Sequence, residues 1–124
     1  MPVPRVTKEV LKQRLDGDAA GRPVLVDVRL KYPYEHSSAT LPGAIRMLPH
    51  ALEPSALPKD RDIVLYDSDP DELVSSRAAA ELIRLGYRAA ALQGGIAEWM
   101  TAKLPTDSKP APQALTPAPG ALKG

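Results

Sequence analysis

Ile63-Val64-Leu65-Tyr66-Asp67-Ser68-Asp69-Pro70-Asp71-Glu72-Leu73-Val74-Ser75-Ser76 begins as a continuous apolar run, passes through an acidic loop and heads into a helix. A strand without polar alternation is buried on both faces, as in a parallel sheet covered by helices on each side. Upstream, Val24-Leu25-Val26-Asp27-Val28 repeats the pattern after the turn signal Gly21-Arg22-Pro23. Two such strands separated by helical stretches predict an α/β fold, a single small domain whose central, mainly parallel sheet is flanked by helices.

Working outward, residues 7–15 place Val10, Leu11 and Leu15 on one side of a short helix, with Thr7 as its N-cap and Gly17 just past its end. Ala79, Leu82 and Ile83 mark a second helix that stops at Gly86. Short strands are expected over 44–47, after the Pro42-Gly43 turn, and over 88–92. After the Gly94-Gly95 turn, residues 96–102 read as a closing helix anchored by Trp99. Five of the last twenty residues are Pro and no apolar period remains there, so the expected division is a domain over 1–104 and a disordered Pro/Ala-rich tail over 105–124.

Composition narrows the chemistry. The chain has 124 residues, 16 basic against 15 acidic, and a formal net charge of +1. That balance supplies no long-range field toward nucleic acid or an anionic membrane. There is no cysteine, which excludes disulfides, thiolate metal sites and a cysteine nucleophile. No run approaches the roughly 18 apolar residues of a membrane span, and no signal-peptide pattern follows Met1, so a cytoplasmic location is the default expectation.

Val26-Asp27-Val28-Arg29, Leu41-Pro42-Gly43-Ala44-Ile45, Ile63-Val64-Leu65-Tyr66, Gly86-Tyr87 and Gln93-Gly94-Gly95-Ile96-Ala97-Glu98-Trp99 together resemble the rhodanese family in order and spacing, over about residues 5 to 104. The resemblance implies a five-stranded sheet and a domain that carries sulfane sulfur as a cysteine persulfide between donors such as thiosulfate and nucleophilic acceptors. It also implies that the active loop spans Asp67, Ser68, Asp69, Pro70, Asp71, Glu72, Leu73, Val74, Ser75 and Ser76, with Asp67 at the position of the family's cysteine. Thr40 stands where the family often has His, and the stretch after Arg29 is about two residues longer than in the common single-domain form.

A carboxylate cannot hold a second sulfur as a thiolate does, yet loop N–H groups and a helix N-terminus favour any anion. Asp67 is therefore expected to be ionised, held by its own loop, and without the usual chemistry. The expected function is a catalytically inactive rhodanese-like module for binding or regulation, meeting a protein or a small anion at its active-loop face. The alternatives are residual sulfur transfer, or Mg²⁺-dependent phosphoryl transfer at Asp67, whose Asp-x-Asp context superficially resembles the haloacid dehalogenase-like phosphatases. Asp67, Asp69, Asp71 and Glu72 crowd four carboxylates together, but an EF-hand would need Gly at Glu72 and Glu at Ala78, and no metal or cofactor is expected. Ser68, Ser75 and Ser76 read as capping residues rather than nucleophiles. Asp27, Arg29 and Glu35 are assigned structural roles, with Arg29 and Glu35 as a candidate ion pair bracing the active side of the sheet. His36 and His50 are too far apart in sequence to argue a metal site.

Overall fold

A computed structural model describes residues 3–69 and 71–109. In chain order it holds β1 (Arg5–Val6), α1 (Lys8–Leu15), β2 (Val24–Asp27), α2 (Lys31–Glu35), β3 (Ala39–Thr40), β4 (Ile45–Arg46), β5 (Asp62–Tyr66), α3 (Leu73–Arg84), β6 (Arg88–Leu92), α4 (Gly95–Thr101) and β7 (Asp107–Ser108), with short 3₁₀ turns at Ala19–Gly21 and Pro54–Ala56. Five strands form one all-parallel sheet in the order β1-β6-β5-β2-β4. The two apolar runs are its centre, Val26 lying beside Leu65 and Asp27 beside Tyr66.

Period-two alternation splits β5 between two cores. Ile63 and Leu65 face Ala78, Ala79 and Leu82 of α3, together with Val26 and Val28. Val64 and Tyr66 face the opposite layer, where Leu11 of α1 and Ile96 and Trp99 of α4 pack. Each fully buried Leu or Ile in these layers contributes about 1.5–3 kcal/mol through apolar area removed from water. The helix starting at Lys8 is capped by Thr7, whose hydroxyl accepts from the Val10 amide at 3.2 Å. Among the described residues no helix is long and apolar enough to cross a membrane.

The ordered chain continues past the expected boundary at 104. β7 pairs antiparallel with β3, Thr40 opposite Asp107 and Ala39 opposite Ser108. The Asp107 carboxylate accepts from the Gly43 amide at 2.8 Å, and the Lys109 ammonium donates to the Tyr34 carbonyl at 2.6 Å. Composition hid this strap because its hold lies in backbone pairing and two polar contacts rather than in an apolar period. The remainder of the tail, residues 110–124, lies outside the described residues.

Parallel topology sets the carboxyl ends of β2, β5 and β6 along one edge of the sheet. The segments that follow them, Val28-Arg29, the loop opened by Asp67, and Gln93-Gly94, therefore lie side by side. In open α/β sheets this is the edge where ligands bind.

Candidate functional site at the carboxyl edge of the sheet

Asp67 leaves the last position of β5 only 1% exposed, and its carboxylate turns back onto its own loop. Oδ1 accepts from the Asp69 amide at 2.8 Å and Oδ2 from the Ser75 amide at 2.5 Å. Ser75 is the third residue of α3, so Asp67 satisfies one of the helix's free N-terminal donors from a distance of eight residues. The helix has no side-chain cap of the ordinary kind, since its N-cap residue is Glu72 in a left-handed conformation with φ 56°. Ser75 thus takes part through its amide, and neither Ser68, Ser75 nor Ser76 caps α3 through its hydroxyl, contrary to the capping role expected of them. The buried Ser75 Oγ has no hydrogen-bond partner among the described residues.

Burial pushes the Asp67 carboxyl above the ordinary aspartate value, while the Ser75 and Asp69 amides oppose that rise. The cradle therefore offsets desolvation only in part. A carboxyl whose folded pKa is raised binds its proton more tightly folded than unfolded, so charging it costs stability. The difference in unfolding free energy between wild type and Asp67→Asn should accordingly move against the wild type as pH rises from near 3.8 through the raised value. Urea titrations of both proteins across that range check this, and a difference that is flat or rises with pH contradicts it.

Glu72 works in the opposite direction. Its buried carboxylate accepts from Arg5 Nε of β1 at 2.5 Å through Oε1 and from the Gly94 amide at 2.9 Å through Oε2. Although burial acts to raise its pKa, Arg5 and the Gly94 amide outweigh that and hold it below the ordinary glutamate value. The loop is thereby tied to the edge strand and to the turn that opens α4. That turn is also pressed against the Asp67 backbone, since the Ile96 amide donates to the Asp67 carbonyl at 3.0 Å. Gly95 has φ 64°, and a Cβ there would sit 2.5 Å from the same carbonyl oxygen. Gly95 is required by this close approach of α4 to the loop, and Gly94 by its own left-handed φ of 80°.

The remaining loop residues are brought together unequally. Asp69 Oδ1 accepts from the Asp71 amide at 2.7 Å, Asp71 is exposed, and Leu73 is 59% exposed. Val74 and Ser76 are half-buried in the first turn of α3, Ser68 is half-buried beside Asp67, and Pro70 lies outside the described residues. Asp67 and Glu72 point to different partners, and among the described residues no group of three or more His, Asp or Glu side chains is disposed to hold a metal ion.

Beside the loop lies a buried charged network. Asp27 Oδ1 accepts from Arg29 N and Nε, and Oδ2 accepts from Arg29 Nη2 at 2.7 Å and from the Tyr66 hydroxyl at 3.0 Å. Arg29 Nη2 also donates to the Ala39 carbonyl at 2.9 Å, and the Tyr66 hydroxyl accepts from the Leu41 amide at 3.2 Å. Burial, with Asp27 nearby, pushes the Tyr66 phenol far upward, so it remains a donor to that carboxylate. The expected Arg29–Glu35 pair is replaced by Arg29–Asp27. Residues two apart in extended chain share a side, whereas Glu35 ends α2 exposed to solvent. His36 and His50 are both exposed and belong to neither cluster.

This fold has a known counterpart: residues 7–102 match the rhodanese-like domain, and the chain belongs to that family. A sulfurtransferase from Allochromatium vinosum is 36% identical over 107 residues, covering 83% of this chain and 94% of that protein. The solution structure of the rhodanese-like domain from an Anabaena sp. protein superposes with a TM-score of 0.69 at 27% identity, covering 94% of this chain and 87% of that one. A full-length Lactobacillus plantarum protein gives a TM-score of 0.76 at 23% identity, covering 85% and 88%. A thiosulfate sulfurtransferase from Pseudomonas aeruginosa gives 0.66 at 24%, covering 85% of this chain and 19% of that one. The last two likenesses concern the fold alone.

Proposed function

We propose that this rhodanese-like domain does not carry sulfur and acts as a binding or regulatory module, its active-loop face being the contact surface for a protein or a small anion. The observation that carries the reading is the engagement of both Asp67 oxygens by the Asp69 and Ser75 amides, at the position the family resemblance gives to cysteine, in a chain that has no cysteine. The N–H groups that would hold a persulfide hold a carboxylate, which has no covalent place for sulfur. Exposed Leu73 and Asp71, with half-buried Ser68 and Asp69, give the face one apolar and several acidic features for a partner to read. Phosphoryl transfer is disfavoured by the same geometry, because a nucleophilic oxygen needs a free approach and Asp67 is 1% exposed with both oxygens accepting hydrogen bonds.

The purified protein, given thiosulfate and cyanide, is expected to form thiocyanate no faster than a heat-denatured sample. A rate well above that control overturns the reading.

A further inference from the structure

Among the described residues β3 pairs with no strand but β7, and it is gripped from two sides. On one side the Lys109 amide donates to the Ser38 carbonyl at 2.9 Å. The Lys109 ammonium also reaches the Tyr34 and Glu35 carbonyls and lies 4.3 Å from the centre of the Tyr34 ring, which Arg46 approaches at 4.0 Å. Alternate residues of an antiparallel ladder turn their polar groups away from the partner strand, so the Ala39 carbonyl points to the other side. There it accepts from Arg29 Nη2 at 2.9 Å, and two residues on the Leu41 amide donates to the Tyr66 hydroxyl at 3.2 Å. Both of those partners are bonded in turn to the Asp27 carboxylate.

The two grips differ in strength. Asp107 and Ser108 are exposed, and no side chain from 107 to 109 enters either apolar core, so lifting the strap uncovers little apolar surface. A ladder of two residue pairs without such burial belongs to the low-stability end of a fold. Arg29, Asp27, Leu41 and Tyr66, by contrast, are buried, and a satisfied buried polar network does not shift one member without disturbing the rest. Tyr66 is the last residue of β5, and its main chain runs directly into Asp67. We infer that the strap is a latch for the active loop: seated on β3 it fixes Leu41 and Ala39, through them Tyr66 and Asp27, and so the turn in which Asp67 is held. When it lifts, the network slackens and the bonds from the Asp69 and Ser75 amides to Asp67 loosen. The coupling belongs to the free chain and does not depend on what the active-loop face binds.

The test is amide hydrogen exchange, resolved by NMR, in the full chain and in Lys109→Pro, which removes the amide donor to Ser38 and the ammonium together and leaves every core residue in place. The Leu41, Asp69 and Ser75 amides should exchange at least about threefold faster in the variant, the low end of the couplings such networks carry. The Tyr87 and Ala91 amides, bonded to the Leu82 and Pro4 carbonyls, should keep their wild-type rates. Tyr66→Phe cuts the relay at the hydroxyl, so adding Lys109→Pro to that variant should leave Asp69 and Ser75 unchanged. Faster exchange confined to residues 38–43, an equal rise at Tyr87 and Ala91, no change anywhere, or an effect on Asp69 and Ser75 that persists beside Tyr66→Phe would each overturn the inference.

Discussion

Asp67→Cys is expected to make this domain a sulfurtransferase. In the variant, Sγ would occupy roughly the place of the Asp67 Cγ, close to the amides of Asp69 and Ser75 that now bond the two carboxylate oxygens. The volume those oxygens vacate is then available to a second sulfur. Two converging N–H groups and the start of a twelve-residue helix favour the thiolate, against the same burial that raises the Asp67 carboxyl. The thiolate attacks the outer sulfur of thiosulfate and releases sulfite. Cyanide then takes that sulfur from the persulfide as thiocyanate and returns the thiolate. Thiocyanate formation should rise at least about tenfold above wild type, the consequence of about 1.4 kcal/mol off the barrier. Asp67→Ser and Asp67→Ala, measured beside it, should stay at the wild-type level. A cysteine variant that folds and makes no thiocyanate would show that the loop is not a persulfide cradle.

Arg29→Met should be the most damaging single change away from the loop. Arg29 and Asp27 are both about 2% exposed or less, and Arg29 supplies three side-chain hydrogen bonds to that carboxylate and one to the Ala39 carbonyl. Removing the cation strands a buried carboxylate that keeps only the Tyr66 hydroxyl, the Arg29 amide and the more distant Arg46, 3.7 Å away. Breaking one side of such a pair costs about 3–5 kcal/mol, a large part of the 5–15 kcal/mol by which domains are usually stable. Replacing both partners, as Asp27→Leu with Arg29→Met, should recover a substantial share of that loss, because no uncompensated charge remains. Urea midpoints of the wild type, the single and the double variant decide the matter. A single variant within about 1 kcal/mol of the wild type would mean that the network is solvated and of little weight.

Legibility of the fold tracked apolar patterning. The strands at 24–27 and 62–66, the helix capped by Thr7, and the Gly94-Gly95 turn before α4 all follow from residue types whose physics is local. β1 did not, because two residues beside Pro4 carry no period and become a strand only through the Ala91 and Gln93 amides that bond the Pro4 and Val6 carbonyls. α2 was missed as well, since Pro33 within Lys31–Glu35 reads as loop. At the site, the position of Asp67 beneath a helix was legible from strand-loop-helix order, but its partners were not. Nothing in the string Asp67 to Ser76 says that the Ser75 amide, rather than that of a nearer residue, receives Oδ2. The Glu72 to Arg5 tie spans 67 positions and is set wholly by tertiary packing.

Trp99 is fully buried, and its indole N–H donates to the Pro105 carbonyl at 2.7 Å. A version of the protein trimmed after Leu104 would therefore keep the whole parallel sheet and still lose the acceptor for its largest core side chain, together with the strap from Asp107 to Lys109 that seals β3. The shortest piece that retains its own closure ends no earlier than Lys109, and any fusion or cleavage site belongs beyond that residue.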